Sequence, residues 1–302
     1  MKKTLYLVVC LVALAFILCA GCTQNAPAPS PVQTAAMTAA PGVMPVSADT
    51  VKTAASPLGT ILTDARGMTM YFFADDVPGS GMSTCYGSCA KFWPVVNVDA
   101  PAVSPPLALA DFSTIVRTDG SKQTTYKGWP LYYFARDANA GDTKGENVSK
   151  NWSVARPDYT VMYSERPGLG TFLTDSSGRT LYFFARENPG EAACSGACLT
   201  NWPVFSSGPL MAPSLLNAAD FAITVRTDGP RQTLYKGRLL YYFAKDTKPG
   251  DTNGEGILNA WHVANITGYV PPVPAPVVTT PPTTQPTIDY YGGDSGGGGG
   301  GY

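Results

Sequence analysis

The sequence is nearly without histidine: in 302 residues there is one, His262. Any Ser, His and Asp arrangement would have to be built on that single side chain. Charge of one sign is also missing, with 21 Lys and Arg set against 22 Asp and Glu. No basic stripe exists to follow a phosphate backbone, which argues against nucleic acid as a partner. Past the first twenty residues no helical period of useful length appears. The recurrent cysteine pairs are spaced Cys-x-x-x-Cys and not the Cys-x-x-Cys of redox dithiols, and the Cys-x-x-Cys-His of haem attachment is absent. Glycine is abundant, but its densest run ends the chain and precedes no helix, so no phosphate-cradling loop is formed.

The two ends read as something other than fold. Lys2 and Lys3 precede an apolar run from Leu5 to Ala20, then Gly21 and Cys22. A basic start, a short apolar core and small residues at a cleavage point make an export signal over residues 1–21, too short for a stable membrane span. The run "LCAGC" resembles a lipobox, whose cysteine becomes the lipidated first residue. Cysteine counting agrees: without Cys10 and Cys19 five remain, four in two matched pairs, and Cys22 is the odd one out. Residues 22–47 are rich in Ala and Pro and carry no charge and no apolar period, so they read as a lipid-anchored stalk. Residues 269–302, a Pro and Thr segment running into glycines, read as a disordered tail. Without the signal the chain has 19 basic and 22 acidic residues, a net charge of −3.

Between the ends the chain repeats itself. "LGTILTDARGMTMYFFADD" from Leu58 matches "LGTFLTDSSGRTLYFFARE" from Leu169, and "VRTDGSKQTTYKGWPLYYFARD" from Val116 matches "VRTDGPRQTLYKGRLLYYFAKD" from Val225. Residues 48–157 are thus duplicated as 158–268, with Arg156 and Pro157 at the seam. Inside each duplicate the plan recurs, because every aromatic run closed by an acid is followed by Trp-x-Val. The runs carry Tyr71, Phe73 and Asp76; Tyr132, Phe134 and Asp137; Tyr182, Phe184 and Glu187; and Tyr241, Phe243 and Asp246. Trp93, Trp152, Trp202 and Trp261 follow them, four of the five tryptophans. Each unit reads as a meander of about four short strands; in the second, Asp119 with Gly120 and then Lys127 with Gly128 separate the strands, and Asp-Gly is the strongest short hairpin signal. The expected fold is all-β: four quasi-repeated, four-stranded antiparallel meanders arranged as two tandem two-sheet domains. One four-bladed, propeller-like ring is the alternative.

Tyr-x-Phe-x-x-Asp with a nearby Cys-x-Gly-x-Cys and "WP", then "TYKGxPLYYF", resembles the family of secreted lipoprotein repeats known by that motif. The likeness spans both duplicates. Glu187 replaces Asp in the third copy, and Arg238 to Leu240 lacks the proline of "WPL". The resemblance implies export and repetition, and the family brings no established activity with it.

On a strand Tyr132 and Phe134 point one way and Tyr133 the other, so a run aromatic on both faces implies a strand covered on both sides. That is a packing device, with the terminal acid receiving backbone N–H groups. The competing reading is an exposed aromatic platform for sugars or other flat ligands. Positions that differ between copies are the better places to look for a ligand: Trp129 aligns with Arg238, and Ser153 with His262. Trp129, Arg238 and His262 form the candidate ligand surface. Because His262 has Ser153 as its twin, it reads as a structural residue beside Trp261 rather than a catalytic base.

"CYGSCAKFWP" (Cys85, Cys89) and "CSGACLTNWP" (Cys194, Cys198) are the recurrent reactive groups. In an oxidising compartment each pair can close a local disulfide. A copper site drawing on Met68, Met70 or Met82, and a redox dithiol, are the alternatives. "GDTKGEN" and "GDTNGEG" offer Asp142 with Glu146, and Asp251 with Asn253 and Glu255, as oxygen ligands for calcium, though such loops usually only turn. The reading is therefore an exported lipoprotein on the outer face of the cytoplasmic membrane or the cell surface. It is non-catalytic, has no required cofactor, and acts as a binding or envelope-organising module whose partners are the membrane and a surface protein or glycan. A copper-binding or electron-transfer accessory is the alternative.

Overall fold

In each duplicate the chain begins with a hairpin, passes through the aromatic run and a cysteine loop, and continues into a three-stranded piece. A computed structural model describes residues 50–98 and 101–266. The signal, Cys22, the stalk and the tail lie outside the described residues. The first duplicate contains β1 (Thr50–Ser56), β2 (Gly59–Asp64), β3 (Tyr71–Phe73), α1 (Ser88–Phe92), β4 (Ala102–Val103), β5 (Phe112–Val116), β6 (Lys122–Tyr126), β7 (Trp129–Pro130) and β8 (Trp152–Val154). The second contains β9 (Val161–Arg166), β10 (Gly170–Asp175), β11 (Tyr182–Phe184), α2 (Cys198–Asn201), β12 (Phe221–Val225), β13 (Arg231–Tyr235), β14 (Arg238–Leu239) and β15 (Trp261–Val263). The fold is an all-β repeat of small two- and three-stranded sheets, and among the described residues they close into neither a barrel nor a ring. Two one-turn helices, α1 and α2, sit inside the cysteine loops, too short to register as a sequence period.

The meander expected within each unit holds for β5-β6-β7 and β12-β13-β14. Of the two expected turn pairs, the second forms the two-residue hairpin. Lys127 and Gly128, with φ of 48° and 83°, make the two-residue link between β6 and β7, both central residues being left-handed as that turn requires. Asp119 and Gly120 sit instead in a longer loop closed by Arg117 N–H to the Ser121 carbonyl.

The fourth strand of the meander leaves its unit. β8 pairs with β3, matching Tyr71 to Val154 and Phe73 to Trp152, and β15 pairs with β11 in the same register. Tyr71 and Tyr132 exchange backbone hydrogen bonds of 2.8 and 3.1 Å, and Tyr132 is bridged on its other side by Val95. The row across the sheet is therefore Val154, Tyr71, Tyr132, Val95. Each aromatic run lies beside the Trp-x-Val of the other unit, with a local two-fold relation between Tyr71 and Tyr132. Tyr182 and Tyr241 repeat the arrangement beside Val263 and Val204.

This row has a core on both faces. Tyr71, Phe73, Tyr132 and Phe134 enter one cluster with Trp93 and Trp152. Phe72, with Tyr133 packed against it, joins a second that includes Val51, Leu62 and Met70. The second duplicate builds the same pair of clusters.

The duplicates also share packing. Tyr159 and Met162, past the seam, are buried in the first duplicate's core, and Ala74 is buried in the second's. Glu165 N–H donates to the Ala74 carbonyl at 3.1 Å, and the hydroxyls of Ser153 and Tyr163 lie 2.9 Å apart. The boundary at 157 and 158 marks the repeat in sequence and runs through a packed seam in space.

Candidate functional site

The acids that close the aromatic runs point inward, and their partners come from the neighbouring unit. Tyr71 Oη donates to Asp137 Oδ2 and Tyr132 Oη to Asp76 Oδ2, each at 2.6 Å. Asp76 also accepts the Thr84 N–H and hydroxyl, and Asp137 accepts the Lys144 N–H. In the second duplicate Tyr182 donates to Asp246 and Tyr241 to Glu187. The longer Glu187 carries out the same task, its Oε1 also accepting the Ala193 and Cys194 N–H groups. Burial pushes Asp76 up to about 6, against the opposing pull of its Tyr132 and Thr84 hydrogen bonds. Asp137, Asp246 and Glu187 are raised for the same first reason. Burial, reinforced by the facing acids, lifts the Tyr71 and Tyr132 phenols well above their usual range.

The "VRTDG" repeats supply a clamp that sequence reasoning did not identify. Arg117, 3 % exposed, donates from Nη1 to Ser83 Oγ and Gln123 Oε1, and from Nη2 to the Cys85 carbonyl. A guanidinium only donates, and the Tyr132 hydroxyl donates to Asp76, so the Ser83 hydroxyl accepts from Arg117 and donates to Tyr132 Oη, 2.6 Å away. In the second duplicate Ala192 stands at the Ser83 position, and Arg226 reaches Tyr241 directly at 3.2 Å. Both arginines hold the carbonyl of the first cysteine of a loop. Cys85–Cys89 and Cys194–Cys198 are disulfides with Cα separations of 5.3 and 5.4 Å. Their sulfurs are not the free thiolates that a copper site would use, and Met70 lies in the core on the opposite face of the strand.

In the candidate calcium loops the carboxylates accept turn hydrogen bonds. Asp142 Oδ2 accepts from Lys144 Nζ and from the Asn139 and Ala138 N–H groups, which hold it down to about 2. Glu146 and Glu255 each accept the N–H of a strand residue, Val154 and Val263.

Of the candidate ligand surface, Trp129 and His262 are corrected to interior positions. Trp129 is 1 % exposed: its ring lies 5.7 Å from Phe72, and Nε1 donates to the Ser176 carbonyl across the duplication seam. Arg238 meets the equivalent ring differently, its guanidinium 4.9 Å from the Phe183 centroid. The two residues differ in type because a ring and a cation can both cover a phenyl ring. His262, 6 % exposed, places Nδ1 2.8 Å from Glu255 Oε1. Glu146 performs the same backbone task in the copy that has Ser153, so the carboxylate does not depend on the histidine.

The open site is elsewhere, over the aromatic stack of the first duplicate. Trp93 and Trp152 lie face to face, 3.6 Å apart and 2° from parallel. Phe73 covers the outer face of Trp152 at 4.1 Å, and Phe134 that of Trp93 at 4.4 Å. The exchange seen in the backbone is repeated here, since each phenylalanine stacks on the other unit's tryptophan. Gly145 lets the rings in: a Cβ there would come within 2.8 Å of Trp93 and Tyr71. The ring edges, together with Cys89, Phe92, Arg136 and Lys144, line a cleft of about 640 Å³. Phe92 is 51 % exposed at its rim. The sequence signalled the stack only as a recurring Trp and did not reveal the cleft.

The second duplicate keeps the stack, with Trp202 and Trp261 3.7 Å apart between Phe243 and Phe184. Its surroundings differ: Asn201, Asn253, Leu258 and Ala260 replace Phe92, Lys144, Ser149 and Asn151.

Among the described residues no helix is long and apolar enough to cross a membrane. No curated protein and no solved structure matches the chain. A family model described as a secreted repeat of unknown function matches residues 52–97, 113–156, 166–206 and 222–265, one segment for each aromatic run with its Trp-x-Val. These segments cover more than half of the sequence, and the chain belongs to that family of secreted repeats.

Proposed function

We propose that this secreted repeat protein is a lipid-anchored, non-catalytic binding module. Its rigid β head presents the first-duplicate cleft to a ligand outside the cytoplasmic membrane. The observation that carries the reading is the cleft of about 640 Å³ over the Phe73, Trp152, Trp93 and Phe134 stack, a volume within the usual range for small-ligand sites. The motif tyrosines and acids are consumed in holding paired units together, which supports assigning them to architecture. The anchor rests on the odd cysteine Cys22 behind an export signal.

A photo-crosslinking residue at position 92, at the rim, tests the cleft on intact cells. Capture of a defined species by position 92, and not by the same residue at the exposed position 225, is the expected result. Equal labelling at both positions would remove the cleft from the proposal. Envelope organisation without a ligand would instead give crosslinks spread over the whole head.

A further inference from the structure

We infer that the first-duplicate cleft selects a small organic anion with an apolar body, such as an aryl carboxylate, and that Arg136 supplies the charge that holds it. The inference rests on the binding reading above and adds the ligand's chemical class.

The first reason is which part of each ring is free. Trp93 has Trp152 on one face and Phe134 on the other, and Trp152 has Trp93 and Phe73. Neither indole offers a face to the opening, so the surface they present is ring edge. Edges carry the positive lobe of the aromatic quadrupole, whereas a sugar or a cation seeks the negative face. An apolar body with a negative end suits the indole edges.

The second reason is charge. Arg136 and Lys144 are the charged residues lining the cleft, and no carboxylate lines it. The Lys144 ammonium is already paired with Asp142 at 2.7 Å. Arg136 is exposed and makes no hydrogen bond or ion pair among the described residues, leaving its planar fork free for a carboxylate.

The third reason is the internal comparison. The second duplicate builds an equivalent stack with Asn201 in place of Phe92 and Asn253 in place of Lys144. Phe92 and Lys144 are therefore not needed to form the unit. They shape the cleft.

The test uses the whole mature protein and three probes of one shape: 2-naphthoate, neutral 2-naphthylmethanol and cationic 2-naphthylmethylammonium. Binding is read by tryptophan fluorescence and calorimetry. Naphthoate should bind about tenfold or more tightly than the alcohol, the usual scale of one charge-assisted hydrogen bond. The ammonium should bind most weakly. Arg136→Gln should remove the preference for naphthoate while leaving the alcohol's affinity within about twofold and the melting curve unchanged, as befits an exposed residue. Lys245→Gln, the second-duplicate counterpart, should do nothing. If the alcohol binds as tightly as naphthoate, or Arg136→Gln leaves the preference intact, the anion inference fails and the binding reading survives. If none of the probes binds at millimolar concentration, the anion inference falls, and the binding reading stands or falls with the crosslinking at position 92.

Discussion

The phenol of Tyr71 donates to Asp137 and the phenol of Tyr132 donates back to Asp76, so each aromatic run is completed by the acid of the other. The motif is a clasp between units rather than a feature of one unit. A double-mutant cycle separates the two views. Tyr71→Phe with Asp137→Asn should show coupling of about 1 to 3 kcal/mol, the scale of a buried hydrogen bond to a charged group. Tyr71→Phe with Asp76→Asn, the pair within one unit, should couple by less than about 0.5 kcal/mol. Urea melts measure both, and the reverse order would overturn the clasp.

The clasp fixes the sign of a pH effect. Burial raises Asp76 to about 6 from a starting value of 3.8, and Asp137, Asp246 and Glu187 move in the same direction. A carboxyl with a raised folded pKa binds its proton more tightly when folded. Its contribution to stability is complete below the unfolded pKa and is lost as pH rises through the folded one. The lowered acids Asp119, Asp142 and Asp228 act in the opposite sense and at lower pH. Stability should therefore fall between about pH 4 and pH 6, with Asp76 contributing on the order of 2 kcal/mol. Asp76→Asn should flatten that slope in denaturant melts taken at pH 4, 5 and 6.5.

Trp129 should behave as a core residue. Trp129→Ala should cost roughly 3 to 5 kcal/mol, as deletion of a buried aromatic does, and leave naphthoate binding intact in the fraction that remains folded. Thermal and urea melts check the first part, and a stable Trp129→Ala protein would show the ring to be dispensable.

The seam predicts mutual support between the duplicates. Residues 48–157 alone lose Tyr159 and Met162 from their core and should unfold at lower denaturant than the same segment within the whole protein. Met162→Ala in the full chain should cost about 2 to 5 kcal/mol. A fragment as stable as the whole would mean that the seam contributes nothing.

Cys22→Ala tests the anchor. The mutant should leave the membrane fraction or remain unprocessed, and mass spectrometry of the wild-type amino terminus should find a lipid on Cys22. A processed, membrane-bound mutant would place the anchor elsewhere.

Export, the fourfold repeat, the all-β class and the pairing of each Cys-x-x-x-Cys were legible because each depends on residues close in sequence. The motif that marks the secreted family lies within single segments, alternation is local, and cysteines four apart can meet only in a tight loop. Strand period put Tyr132 and Phe134 on one face, and their burial shows that face to be a core face. Strand period did not place Trp129: one residue at a strand start carries no period, and its indole N–H meets the Ser176 carbonyl 47 residues away. The clamp by Arg117 was hidden for the same reason, since nothing local marks an arginine as buried.

What the sequence by itself determined is equivalence: Tyr71, Tyr132, Tyr182 and Tyr241 do the same job, as do the four tryptophans that follow them. Only the tertiary structure decided which copy serves which. Identical strands can pair within a unit or across units with the same local hydrogen bonds, so repetition leaves the partner open. The choice falls to the pairing that lets Trp93 and Trp152 stack face to face between Phe134 and Phe73 while each tyrosine reaches the opposite acid. The cleft follows from that choice, because only exchanged partners bring Phe73, Trp152, Trp93 and Phe134 to one opening beside Arg136.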